Sequence, residues 1–304
     1  MNAAIELGNL VKEYETPAGV IKALDHLDLT VPEGGIFGLL GPNGAGKSTT
    51  LEIAVGLRKP SSGTVNIFGR NPQTDSQWIH QRVSIQPQES TVFPQERVGE
   101  ILSFWASLYD HPRDVDKVAK WMGLDELLLR KVAKLSGGQK QRLNVGLSII
   151  GRTKLAILDE PSTGLDVMAR DDLWKVLRFL AEEGTTIVLS THDLDEARVL
   201  CQEVAVIDHG RSVAQGSPEE LIRKHAEGTL ISCRVSPDGI SDLVSMLRTF
   251  GEPEVVDKTT ISIRTDDTDP VIAVLSSNPA VSQLRMNEPS LHDAFVKLTG
   301  HDFE

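Results

Sequence analysis

The stretch Gly41-Pro42-Asn43-Gly44-Ala45-Gly46-Lys47-Ser48-Thr49 fits the pattern G-x-x-x-x-G-K-[ST] and follows directly on an apolar run, Ile36 to Leu40. Its glycines let the backbone curl so that successive N–H groups converge on phosphate oxygens. A helix reading from Ser48 to Leu57 points its positive end at the same place. Lys47 is spaced to reach the β- and γ-phosphates, and the Ser48 hydroxyl to complete the shell of a magnesium ion. The pattern implies a bound nucleoside triphosphate. A glycine-rich strand-to-helix turn without a ligand is the plainer alternative.

A second pair of acids follows the same logic. Leu155-Ala156-Ile157-Leu158 reads as a buried strand, and it ends in Asp159-Glu160. A strand of a parallel sheet delivers such residues to the carboxyl edge, where a phosphate loop also lies. Asp159 suits a magnesium ligand, directly or through water, and Glu160 suits the acceptor of a proton from an attacking water. Solvated acids at an ordinary strand end are the alternative. Further back, Leu135-Ser136-Gly137-Gly138-Gln139 reads as a helix start, with Ser136 as cap, Gln139 completing a capping box and the glycines exposing N–H groups to an anion. Leu143, Leu147 and Ile150 share one face of that helix. By itself this segment is no more than a capped helix.

Between and around these segments the chain alternates. β-like runs at Ile5–Val11, Val20–Val31 and Ile36–Leu40 give a β-rich start, and further strands read at Val65–Phe68 and Val83–Gln86. Val98, Ile101, Leu102, Trp105, Leu108 and Tyr109 fall at helical spacing, and Val115–Met122 adds a second helix, so a helical insert occupies about residues 97–131. Strands at Leu155–Leu158, Thr186–Leu189 and Val204–Ile207, separated by helices at Val167–Glu183 and Leu194–Cys201, predict a parallel sheet flanked by helices. Near Gly228 the pattern changes to strand, helix, two short strands and helix, ending in a capped helix from Leu291 to Leu298. The expected organisation is an α/β phosphate-loop domain over residues 1–227 and a small α+β domain over 228–304.

Composition narrows the class. With 304 residues and 40% hydrophobic content the chain is long enough for two domains with real cores. No apolar run approaches the ~20 residues of a spanning helix, and Met1-Asn2-Ala3-Ala4 lacks the basic-then-apolar start of a secretory leader, so a cytoplasmic protein is expected. Cys201 and Cys233 form no metal-ligand spacing and suit a reducing compartment. A net charge of −12 opposes broad electrostatic binding to nucleic acid, which is not expected as a partner.

Taken together, and in this order, the motifs resemble those of ATP-binding cassette (ABC) proteins. They are the phosphate loop, Pro87-Gln88-Glu89, the signature Leu135-Ser136-Gly137-Gly138-Gln139, the Asp159-Glu160 pair, Ser162-Thr163-Gly164-Leu165-Asp166, and Ser190-Thr191-His192-Asp193. The resemblance implies a cassette ATPase with ATP and Mg2+ as cofactors. Tyr14 would stack on adenine, and Gly41, Pro42, Asn43, Gly44, Ala45, Gly46, Lys47, Ser48 and Thr49 would cradle the phosphates. Ser48, Gln88 and Asp159 would organise magnesium, while Glu160 activates water and His192 contacts the γ-phosphate. Ser136, Gly137, Gly138 and Gln139 would close over ATP bound to the opposite subunit, with Asp166 communicating across that interface. Read from the residues alone, Tyr14 also fits a strand aromatic, Gln88 a surface amide and His192 a strand-end histidine.

The segments Thr191-His192-Asp193-Leu194-Asp195-Glu196-Ala197, Val204 to Gly210 and Gly216 to Leu221, together with the ending Pro289 to Gly300, are similar to the ATPase subunits of drug or antibiotic exporters of the daunorubicin-resistance type. Two departures are Val167, where relatives often have proline, and Gln202, where they often have aspartate. The resemblance implies a homodimer, or a pair with another cassette subunit, that docks on a separate polytopic membrane permease at the inner face of the cell membrane and drives export, multidrug export being one reading while drug, lipid, polysaccharide, sodium and peptide all stay open as the substrate. A cassette ATPase of DNA repair or translation, or a regulatory clamp using ATP, is the alternative.

Overall fold

The computed structural model describes residues 2–17, 19–86 and 93–302. By its internal contacts the chain divides into two units, Met1–Pro218 and Glu219–Asp302.

The first unit opens with two long strands, β1 (Ala3–Thr16) and β2 (Gly19–Pro32), followed by β3 (Ile36–Leu40), α1 (Lys47–Ala54) and β4 (Ser62–Ile67). β1 lies between β2 and β4 in an antiparallel sheet. Next come α2 (Ser76–His80), β5 (Val83–Ile85), α3 (Val98–Ala106), α4 (Val115–Trp121) and α5 (Gly137–Ile149). The remainder comprises β6 (Leu155–Asp159), α6 (Val167–Glu182), β7 (Thr186–Thr191), α7 (Leu194–Leu200), β8 (Glu203–Asp208) and β9 (Arg211–Gly216). The second sheet has the order β5-β6-β7-β3-β8-β9, parallel except for β9.

Burial explains why these runs became central strands. Every residue of β3 and β7 is buried, as are the four apolar residues Leu155–Leu158 of β6, the mark of strands covered on both faces. One core joins the two sheets through Leu27, Leu29, Leu39, Leu51, Ile53, Ile157 and Ile207, with α1 between them. In the helical insert, α3 buries Val98, Ile101, Leu102 and Ala106, and α4 buries Val118 and Ala119. Gly146 of α5 permits their approach, since a Cβ there would fall 3.3 Å from Met122 Cγ and 3.5 Å from Val118 Cγ1.

That sheet order decides where the chemistry goes. β5, β6, β7 and β3 are adjacent and parallel, so their carboxyl ends lie side by side. They deliver Gln86, Asp159-Glu160, His192 and the loop 41–46 to one edge, as open α/β sheets do.

In the second unit, α8 (Pro218–His225) leads to β10 (Thr229–Val235), α9 (Ile240–Leu247), β11 (Pro253–Val255), β12 (Thr260–Thr265), α10 (Thr268–Ser277), β13 (Val281–Asn287) and α11 (Leu291–Thr299). Four antiparallel strands run in the order β11-β12-β10-β13. Their own core comprises Ile231, Cys233, Val235, Leu243, Leu247, Ile261, Ile263, Val271 and Leu275. The sequence reading did not contain α2, α8, β9 or β13. β13 is exposed along nearly its whole length, which leaves no alternating pattern to read.

Among the described residues, no helix is long and apolar enough to cross a membrane.

Candidate active site

The loop 41–46 leaves the buried end of β3 and turns into α1, whose first residue is Lys47. Gly46 caps this helix at φ 105°, and a Cβ there would sit 2.7 Å from Ala23 O, so both backbone angle and space require glycine. Lys47 is buried, and its Nζ donates to Gly41 O at 2.6 Å and Pro42 O at 3.0 Å. Burial holds its ammonium below the ordinary lysine range, an effect partly offset by the Glu160 and Asp159 carboxylates. An ammonium kept dry on this loop, whose hydrogen bonds among the described residues go to two carbonyls, is suited to exchange those carbonyls for phosphate oxygens.

A cavity of about 180 Å³ opens on this loop, lined by Ala23, Asn43, Gly44, Gly46, Lys47, Ser48, Thr49 and Glu160. A second, of about 160 Å³, includes Ser48, Glu52, Gln86 and Asp159 in its lining. Ser48 belongs to both, so the phosphate-loop side and the acid side meet at this residue. A hydroxyl and a carboxylate are hard oxygen donors of the kind Mg2+ selects, and the residues present fit that ion.

The strand ends hold the acids in place. Ser190 Oγ donates to Asp159 Oδ1, and accepts from Glu160 N at 3.0 Å, so one hydroxyl of β7 holds the Asp159 carboxylate and the backbone of Glu160. Glu160 adopts a left-handed φ of 48°, uncommon for a residue with a side chain and often found where a site dictates the backbone. Thr163 Oγ1 donates to Glu160 Oε2 at 3.0 Å, and His192 Nδ1 lies 3.2 Å from Glu160 Oε1. The edge therefore gathers Lys47, Ser48, Asp159, Glu160 and His192.

The remaining expected residues lie elsewhere or outside the described residues. Gln88 falls outside the described residues. Tyr14 sits on β1 with Lys12 Nζ 4.9 Å and the Arg58 guanidinium 5.4 Å from its ring centroid, and it lines neither cavity. Ser136 Oγ accepts from Gln139 N at 3.3 Å while Gln139 Oε1 accepts from Ser136 N at 3.0 Å, the capping box that their spacing predicts. None of Ser136 to Gln139 lines either cavity. Asp166 caps α6 by accepting from Ala169 N at 2.9 Å, and Gly138 lies close to Gly164, whose carbonyl a Cβ on Gly138 would meet at 3.1 Å.

Sequence reasoning gave no role to three glutamines, Gln202 among them although it was noted as a departure from the relatives. Gln141 Nε2 donates to Glu160 O at 2.8 Å and Pro161 O at 3.1 Å, tying the signature helix to the acid pair. Gln202 Oε1 accepts from Ile36 N at 2.5 Å and so seats the start of β3. Gln86 is taken up below. Glutamines at no special spacing carry no signal until the fold shows their partners. The other departure, Val167, stands exposed at the first position of α6.

Comparison with known proteins agrees with the geometry. A family profile described as ABC transporter matches residues 24–163. The chain is 33% identical to the Nod factor export ATP-binding protein I of Rhizobium sp. (strain N33), covering 99% of this chain and 98% of the relative. It is 35% identical to the daunorubicin/doxorubicin resistance ATP-binding protein DrrA of Streptomyces peucetius, covering 98% and 93%. Among solved structures it resembles an ATP binding subunit of an ABC transporter (TM-score 0.65, 26% identity, 73% of this chain and 92% of that one). It also resembles cbiO1 from Clostridium perfringens, described as part of the ABC transporter complex cbiONQ (TM-score 0.61, 29% identity, 74% and 94%).

Proposed function

Because the chain belongs to the ABC transporter family, as an ATP-hydrolysing subunit of exporter type that uses ATP and Mg2+, we propose that its gathered strand ends work as half of a composite hydrolytic site. In this reading the loop amides of residues 41–46 and Lys47 hold the phosphates, with Lys47 releasing the Gly41 and Pro42 carbonyls as it does so. Ser48 and Asp159, with Gln88, would hold Mg2+, which would supply positive charge against the phosphate oxygens. Glu160 accepts the proton of the attacking water, and Thr163 and His192 fix its carboxylate. His192 also holds the γ-phosphate, and Tyr14 stacks on adenine.

Ser136 to Gln139 lie away from both cavities of their own chain, and in this reading they complete the site of a second cassette, identical or paired, with Asp166 at the shared interface. The assembly docks on a separate polytopic permease and thereby sits at the inner face of the membrane. All of this machinery lies before Val204. We assign residues 1–227 to the cassette and 228–304 to an appendage that assists assembly with the permease or with the second cassette.

The observation that carries the reading is Glu160, which lines the phosphate-loop cavity while two neighbours hold its carboxylate. The test is Glu160→Gln, which keeps shape and hydrogen bonding but cannot take a proton. ATP affinity should hold, steady-state hydrolysis should fall by roughly 10²–10⁴, and an ATP-bound dimer should accumulate. Turnover near that of the unmodified protein contradicts the assignment.

A further inference from the structure

Gln86 is the residue immediately after β5, and its N–H still pairs with Ile157 O at 2.8 Å, so the strand geometry carries it to the edge where Asp159 stands. The residue is 4% exposed. Nε2 donates to Asp159 O at 3.0 Å, which ties the end of β5 to the end of β6. Oε1 is different: it is buried and has no hydrogen-bond partner among the described residues. Only one other buried side-chain atom shares that condition there, Arg170 Nε. Buried polar atoms are nearly always paired, so an orphan acceptor calls for a donor.

The setting says which donor. Gln86 lines the same cavity as Ser48 and Asp159, the two residues that fit Mg2+. The other polar side chain of that lining, Glu52, is an acceptor when ionised and is already paired with Arg58 Nε at 2.5 Å. Magnesium dehydrates reluctantly and keeps several waters, each a donor with its hydrogens directed away from the cation. Groups that bond to such waters orient the ion without touching it, and their loss weakens metal affinity by roughly 10–100-fold where the effect is strong.

We propose that Gln86 is a positioning residue of the magnesium site, its Oε1 accepting from a metal-bound water while its Nε2 fixes the strand end that carries Asp159. The proposal rests on the reading of Ser48 and Asp159 as magnesium ligands. It concerns a residue that the motif Pro87-Gln88-Glu89 does not include.

The experiment titrates ADP into the full chain with Mg2+ or with EDTA, and measures the gain in affinity that the metal supplies. In Gln86→Leu the affinity in EDTA should stay as it is, while the Mg2+ concentration needed for half of the gain should rise about 10-fold, the low end of such outer-sphere losses. Gln86→Glu keeps an acceptor oxygen whether ionised or protonated, and when protonated it keeps a donor too. It should restore the metal dependence. If Gln86→Leu fails to fold, Gln86→Met fills similar space without an acceptor and takes its place. Unchanged metal dependence in the apolar variant overturns the proposal and leaves the nucleotide site standing. So does a Glu variant as impaired as Leu, which would show that packing or the Nε2 bond is what matters. An unmodified protein that binds ADP equally with and without Mg2+ overturns the reading of Ser48 and Asp159, and this proposal with it.

Discussion

The helices α5 and α11 begin with the same chemistry: Ser136 with Gln139 in one, Ser290 with Asp293 in the other, each pair exchanging side-chain-to-backbone bonds across the helix start. At α11 the box is closed. Asp293 accepts from Ser290 N at 3.0 Å and Ser290 Oγ at 2.6 Å, and Arg264 donates to its other oxygen at 2.9 Å. At α5 the box is open, for Ser136 and Gly137 are exposed and a Cβ on Gly137 would meet nothing within 4 Å. One turn further on, Gln141 is bonded to the carbonyls of Glu160 and Pro161. A capping box states only where a helix starts. What the helix does follows from whether its N-terminus is left free and from what its next turn holds.

The largest expected effect is at the open box. Ser136→Arg removes one cap, worth about 1 kcal/mol of stability, but it should reduce ATP hydrolysis by at least about 10²-fold, as loss of a phosphate-facing group does. Steady-state hydrolysis beside a thermal melt separates the two effects. Activity that falls only with the folded fraction would make α5 a capped helix like α11 and remove the contrast.

A smaller effect is expected one turn on. Gln141→Leu loses both anchors to the acid pair, and the displacement of Glu160 should lower the hydrolytic rate about 10-fold while ATP affinity stays within about twofold. Unchanged turnover would show that the tie between signature helix and acids is dispensable.

The closed box should answer in stability alone. Burial raises the Asp293 carboxyl, but the bonds from Ser290 and Arg264 outweigh it and hold the group below the usual range. A carboxyl depressed on folding adds stability above its unfolded value, near 4, and loses it as pH falls through the folded value. Asp293→Asn should thus speed hydrogen exchange along α11 at neutral pH, by an amount that stays level down to about pH 5 and shrinks below about pH 4. ATP hydrolysis at neutral pH should not change. A loss of hydrolysis would tie this helix to the chemistry and blur the comparison.

How much of this was legible in the sequence depended on burial and locality. The strands at Ile36–Leu40, Leu155–Leu158, Thr186–Leu189 and Val204–Ile207 read as nearly continuous apolar runs because they are covered on both faces, and the caps Ser136 and Ser290 stand directly before the helices they start. β13 and β9 escaped because exposed edge strands need no apolar alternation. Lys47, Asp159 and Glu160 could be named from the residues and His192 from the family resemblance, but that Ser190 bonds to both Asp159 and Glu160, that Gln141 ties α5 to them, or that Gln86 shares a cavity with Ser48 follows only from strand order.

The smallest expected effect is a control shared by both units. Cys201 and Cys233 are buried, and burial pushes both thiols above the ordinary cysteine range. Native protein should resist alkylation at pH 8 and react fully in denaturant. Rapid labelling of Cys233 alone would show that the second unit opens locally.

The claim at the centre is that the open box of α5 belongs to the site of a second cassette. The most direct measurement combines a Lys47→Ala chain with a Ser136→Arg chain and follows hydrolysis in demonstrated mixed dimers. If the site is composite, one site of each mixed dimer carries both lesions and the other carries neither, so activity should reappear that neither variant shows alone. Mixed dimers that stay as inactive as their parents would contradict it.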